Sequence, residues 1–121
     1  MRNTCVTIYS ASDLASGNGD KIDANQLVSA SFQVRISDAD FAGSIKIQAS
    51  NDPTLGVPRA NFTPTNWSDI PNAAVTVTAG PVLSAGIILI PNMAFSWIRA
   101  VVTQTTPGSG TATVNMNALG I

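Results

Sequence analysis

The sequence contains no histidine and no glutamate; its seven acidic residues are all aspartates, Asp13, Asp20, Asp23, Asp38, Asp40, Asp52 and Asp69. Most enzymes move protons with His, Glu or Asp, or set a nucleophile beside a base. A chain this short of such groups is expected to bind, coat or assemble rather than to be an enzyme. Cysteine occurs once, as Cys5, so no intramolecular disulfide can staple the fold. With Val6 and Ile8 as neighbours, Cys5 reads as an inert strand thiol. Charged residues make up 11% of the chain, less than half the usual quarter. The net charge of −1 provides no basic field, so neither nucleic acid nor an anionic membrane is an expected partner. No apolar run reaches the ~18 residues of a membrane-spanning helix. The N-terminal MRNTCVTIYS lacks the apolar stretch of a secretory signal, so release from a cell would follow another route, such as lysis. No GxGxxG, Walker loop, CxxC pair or Ser–His arrangement is present, and no cofactor is expected.

What is there is apolar and regularly patterned. At 121 residues and 45% hydrophobic, the chain fits one domain with a real core. Low charge does not signal disorder here, because disorder needs low hydrophobicity and high net charge. A surface rich in Ser, Thr and Asn but poor in charge is weakly protected against association. Such a surface suits partial coverage in an assembly, and equally an ordinary β domain.

Period-two alternation runs through the sequence between Gly, Pro, Asn and Asp punctuation. From Leu27 to Ile36 the even positions are Val28, Ala30, Phe32, Val34 and Ile36, and the odd ones are mostly polar, the mark of a half-buried antiparallel strand. Ser44–Ala49, Ala74–Ala79 and Thr111–Ala118 alternate in the same way, and Thr4–Ser10 adds an N-terminal strand. Gly86–Ile90 and Phe95–Thr103 are apolar on both faces, which predicts either a central position or a subunit contact. Helix formers are scarce; Asp38–Phe41 offers at most one turn. The expectation is an all-β, antiparallel β-sandwich of about eight strands, a jelly roll. Residues 1–25 read as an N-terminal strand and arm ordered through a neighbour, and 26–121 as the sandwich.

Candidate chemistry is sparse. Asp13, Asp20 and Asp23, with Asn18 and Asn25, offer oxygen ligands for calcium, but their spacing matches no EF-hand and turn geometry accounts for them better. Asp38 and Asp40 form a close carboxylate pair in a turn, and Ser50-Asn51-Asp52-Pro53 reads as a strand-ending turn. Gly108-Ser109-Gly110 fits a hairpin turn. The long segment Asn51–Asn66 reads as a binding loop. Within or beside it, Phe62, Asn66, Trp67 and Asp69 combine aromatic rings with Asn and Asp, the chemistry of sugar recognition or of partner contact. The rival reading has Trp67 and Trp97 both capping the core.

Three phrases, Ile45-Lys46-Ile47-Gln48-Ala49-Ser50-Asn51-Asp52, Asn66-Trp67-Ser68-Asp69-Ile70 and Trp97-Ile98-Arg99-Ala100-Val101-Val102, resemble the strand–SND–W–strand plan of discoidin-like, galactose-binding jelly rolls. The family's sugar-contacting residues have no counterparts here, so no ligand site is carried over. The fuller string, Ser50-Asn51-Asp52-Pro53, Asn61 to Pro71, Ile90-Pro91, Trp97 to Thr103 and the C-terminal Gly110-Thr111-Ala112-Thr113-Val114-Asn115-Met116-Asn117-Ala118-Leu119-Gly120, is similar, over roughly Leu27 to Ile121, to small virion structural proteins of tailed bacteriophages, those that decorate or cement a capsid or form head fibres. That resemblance implies a homo-oligomer, a trimer by expectation. It would be made in the host cytoplasm and carried on the virion surface, with the major capsid protein as partner. A receptor- or carbohydrate-binding module of a fibre or tail is the alternative, and a jelly-roll shell protein a third.

Overall fold

The computed structural model describes residues 2–12, 17–36, 42–77, 84–106 and 111–120. Asp13, the Asp38–Phe41 turn with its Asp38/Asp40 pair, and the Gly108–Gly110 turn lie outside them. Among the described residues nine strands follow one another: β1 (Arg2–Ser12), β2 (Gly17–Asn18), β3 (Ile22–Asp23), β4 (Leu27–Ile36), β5 (Ala42–Ser50), β6 (Ser68–Val77), β7 (Ser84–Ile90), β8 (Trp97–Thr106) and β9 (Thr111–Gly120). A single 3-10 turn, Arg59–Asn61, interrupts the segment between β5 and β6.

The strands form two antiparallel sheets, one ordered β1-β9-β4-β7 and the other β2-β8-β5-β6 with β3 also on β8. Taken as one interrupted strand, β2 and β3 complete a set of eight. The pairs are then nested: β1 with β9, β2/β3 with β8, β4 with β7, and β5 with β6. The remaining ladders, β4 with β9 and β5 with β8, close each sheet across the roll. This is a long hairpin wound into a sandwich, and the jelly-roll arrangement expected from the alternation is the one observed.

Alternation places one face of each strand in the core. Phe32, Val34 and Ile36 of β4 and Val114 of β9 are fully buried, and so are Ile45 and Ile47 of β5 and Ile98 and Ala100 of β8 on the facing sheet. Val75 is half-buried against the same cluster; the side chain of Val77 lies outside the described residues. The two segments that are apolar on both faces take different positions. The Phe95–Thr103 segment becomes β8, inside its sheet between β2/β3 and β5. The Gly86–Ile90 segment becomes β7, at the end of the four-stranded sheet, with Ile87 and Leu89 outward and 64% and 70% exposed.

The N-terminal strand expected over Thr4–Ser10 is present as β1, which pairs along β9 from Arg2↔Gly120 to Ser12↔Thr111, with Ile8 buried in the core. Residues 17–18 and 22–23 pair with β8. The strand predicted over 74–79 begins at Ser68 instead, because a bulge carries the chain past Pro71. Lys46 pairs with Ala74 and Gln48 with Asp69, so four residues of β6 stand opposite Ile47 alone. Pro71 has no N–H to give a ladder, and Asn72 takes φ 62°, a conformation asparagine tolerates. The bulge also blunts this edge of the five-stranded sheet.

Phe32→Ala is expected to lower unfolding stability by about 3–5 kcal/mol, because the fully enclosed site cannot collapse around the void. Urea denaturation would show this as a lower midpoint with an unchanged slope; a loss below about 1 kcal/mol would contradict the packing described.

Candidate functional site

The segment between β5 and β6 is closed at its base by side chains of the strand-ending turn. Ser50 is buried, and its Oγ accepts the Asp52 N–H at 3.2 Å. Asn51 Oδ1 accepts the Ser96 N–H at 2.9 Å. The Asp52 carboxylate accepts the Thr65 N–H at 2.8 Å, the Asn66 N–H at 3.0 Å and the Asn66 side-chain amide at 2.9 Å. Asp52 thus joins the two ends of the loop, and these bonds, led by those from Asn66, hold its pKa below the ordinary 3.8.

A second anchor forms on Trp97. Along β8 the residues Ile98, Ala100 and Val102 face the core, so Trp97 and Arg99 face outward. Trp97 is nonetheless only 1% exposed, because the loop lies over it. Phe62 stacks on the indole with centroids 5.8 Å apart at 27°, the Arg59 guanidinium sits 4.2 Å from the ring centre and the Lys21 ammonium 5.3 Å from it. Each cation over the indole contributes on the order of 1 kcal/mol. Arg59 is held in turn by both Asp23 oxygens, at 2.7 and 2.8 Å, and donates to the Ser96 carbonyl at 2.9 Å. Lys21 donates to the carbonyls of Arg59, Ala60 and Phe62 at the end of the 3-10 turn, sharing the Arg59 carbonyl with the Phe62 N–H. The hydrogen bond from Arg59 is the main cause that holds the Asp23 carboxyl below 3.8. The Trp97 indole N–H is buried without a partner among the described residues, so stacking, not hydrogen bonding, fixes this ring.

A third group continues along the same outer face. The Arg99 guanidinium lies 4.4 Å from the centre of the Trp67 ring, whose N–H donates to the Pro64 carbonyl at 3.2 Å. Arg99 also donates twice to Gln48 Oε1, at 2.8 and 3.0 Å. The Gln48 amide donates to Asp69 at 2.8 Å, and Lys46 pairs with the same carboxylate at 3.1 Å. Gln48 first and Lys46 second lower the Asp69 pKa. Four of the six basic residues, Lys21, Lys46, Arg59 and Arg99, therefore stand on this one side of the sandwich.

The four residues singled out from the sequence fall into two places. Phe62 and Trp67 share the outer face of β8 but stack on different partners, Trp97 and Arg99. Asn66 and Asp69 line a cleft of about 280 Å³ with Asn51, Ser68, Ile70 and Phe95, and Asp69 is also linked to the Trp67 group through Gln48 and Arg99. The reading of Trp67 as a core cap does not hold: the ring lies outside the sheet under Arg99, and Trp97 caps the outer face and not the core. Arg59, Lys21 and Arg99 went unnoticed as site residues; the odd positions of β8 were the available signal, since they put Trp97 and Arg99 side by side. Of the three aspartates weighed for calcium, Asp23 is engaged by Arg59 and accepts the Asn25 N–H at 3.0 Å, as a turn residue does. Among the described residues no three ligating side chains gather. Cys5 is on β1 but exposed, with Sγ 3.4 Å from Asn117 Oδ1.

The tip of the loop is strained. Val57 N–H bonds to the Thr54 carbonyl at 3.0 Å, with Leu55 at φ 51° and Gly56 at φ 88° between them, the two positive angles of a type I′ turn. Glycine adopts such angles freely, whereas for leucine the left-handed region costs about 1–2 kcal/mol. Leu55 is 87% exposed and recovers nothing by burial.

No protein-family profile matches the sequence, and no curated protein matches it. Among solved structures, the crystal structure of the SPBc2 prophage-derived protein YomS is similar, with a TM-score of 0.58 over 97% of this chain and 92% of that chain. The identity is 13%, so the likeness is one of fold.

Two outcomes test this site. Asp23, Asp52 and Asp69 all titrate below the ordinary value in the folded chain, so each adds stability that is present above the unfolded pKa and lost as pH falls through the folded one. Thermal melts are expected to be level from pH 7 to about pH 5 and to fall below about pH 4, more gently in Asp52→Asn than in the parent; an acid limb of the same steepness in both would contradict the role of Asp52. Separately, in a Trp67→Phe background, where Trp97 is the single reporter, Phe62→Ala should shift fluorescence emission to the red. An unmoved spectrum would mean that Phe62 does not shield the indole.

Proposed function

We propose that this chain is a bacteriophage virion structural protein that decorates and stabilises a head shell through self-association and repeated contacts with coat subunits. The observation that carries this reading is the outer face of the four-stranded sheet. Across it run Thr7, Asn115 and Gln33, then Cys5, Asn117 and Ser31, residues with hydroxyl, amide or thiol side chains in register across β1, β9 and β4. Ile87 and Leu89 of β7 continue those two rows, and Leu119 follows beside Ser29, 38% exposed. Among the described side chains of this face Arg35 is the one charge. A broad, weakly charged face ending in exposed aliphatics suits coverage by another subunit. Amides and hydroxyls both donate and accept, so a second copy of the face can satisfy them without like-charge repulsion. The fold likeness to a prophage-derived protein over nearly the whole chain supplies the phage context.

A second reading, a carbohydrate-binding module of a fibre, is favoured by the cleft that Asn66 and Asp69 share with Phe95. Copy number separates the two. Quantitative mass spectrometry of purified particles is expected to find this chain at a level comparable with the main coat protein, hundreds of copies or more; a few dozen copies or fewer would overturn decoration in favour of a fibre or tail position.

A further inference from the structure

We propose that Leu55 is a preformed apolar prong that inserts into an uncharged, apolar socket on a coat subunit of the shell; the inference rests on the decoration reading and names its contact. Three observations converge on this one side chain. It is the most exposed large hydrophobic residue described, at 87%, and Val57 beside it is 43% exposed. It occupies the first central position of a type I′ turn, where asparagine, aspartate or glycine fits the backbone without strain and leucine does not. The segment from Pro53 to Pro58 carries no charge, so a partner surface that receives it needs none.

The base of the loop makes the prong rigid. Asp52 joins the strand-side end of the segment to Thr65 and Asn66. Just past the turn, Arg59 is locked between Asp23, Ser96 and the Trp97 ring. The tip is thus fixed on both sides while nothing crowds it; a Cβ added at Gly56 would meet no atom within 4 Å. A side chain presented this way loses little freedom on binding, and an aliphatic anchor in a partner's pocket is how a small contact gains most of its strength. Strain held at an exposed position with no return from the chain's own packing points to a return elsewhere.

The experiment compares the full-length parent with Leu55→Asn and Leu55→Met, each melted as free protein and each titrated onto bare shells with co-sedimentation as the readout. Leu55→Asn is expected to melt higher than the parent, by about 3–6 °C, because asparagine accepts the positive φ. The same variant should bind shells at least about tenfold more weakly, because the apolar anchor is gone. Leu55→Met retains an apolar side chain and should melt and bind like the parent. Binding by Leu55→Asn equal to the parent's overturns the prong while leaving decoration standing. A Leu55→Asn variant that melts below the parent also overturns it, since the leucine would then be serving its own fold. A parent chain that fails to sediment with shells overturns the decoration reading itself, and the prong with it.

Discussion

Trp97 stands on the outer side of a strand whose inner side seals the core, and the arrangement of the long loop depends on that placement. A 17-residue connection such as 51–67 gains order only where contacts offset roughly 1–2 kcal/mol of backbone entropy per residue. The loop offers few aliphatic side chains to bury, and Leu55 and Val57 point to solvent. What it offers instead is the Phe62 ring and the Arg59 guanidinium, which meet at Trp97, and the Trp67 ring, which lies against Arg99. Asp23 completes the arrangement from β3, which explains why so short a strand is worth pairing to β8: Asp23 sits opposite Trp97 in the register. The loop, the two-residue strand and the indole are mutually dependent.

Distribution of charge follows from the same placement. Arg59 and Arg99 are useful where they can lie flat on a ring and reach a carboxylate or amide with the other edge, since the planar guanidinium does both at once. Both rings and the chain Gln48–Asp69–Lys46 occur on the five-stranded side. With so few charges in the sequence, gathering them there leaves Arg35 as the one charge among the described side chains of the opposite sheet's outer face. One outer face is therefore occupied by the chain's own loop, while the other presents amides, hydroxyls and exposed aliphatics.

How much of this the sequence disclosed varied with the kind of constraint. Strand β4 was legible to the residue, Leu27–Ile36, because its alternation is uninterrupted and one face is wholly core. Strand β6 was legible only from Ala74, since Pro71 and Asn72 look like loop residues and a bulge cannot be inferred from periodicity. β2 and β3, two residues each, are too short to leave any period. The N-terminal strand was found, but its partner was not: pairing β1 with β9 joins opposite ends of the chain, and local pattern carries no information about that distance. Phe62, Asn66, Trp67 and Asp69 looked like one cluster because they are close in sequence. The fold parts Phe62 and Asn66 from the other two, whereas Trp67 and Asp69, two residues apart, stay on one side and are linked through Arg99 and Gln48; the other neighbours, Trp97 and Phe95, come from another strand or its approach.

Leu55 shows a different limit. Leu-Gly is not the dipeptide that announces a type I′ turn; Asn-Gly is. Local preference and observed backbone disagree at this one position, although the turn is held on both sides by groups that agree with theirs. In most chains such disagreements are resolved in favour of the core, where burial outweighs a kilocalorie or two of backbone strain. Here the side chain is nearly all in water, so burial within the chain cannot be the compensating gain. The conflict is confined to the most projecting apolar group of a loop whose other members are tied down, which is where a contact with another subunit would use it.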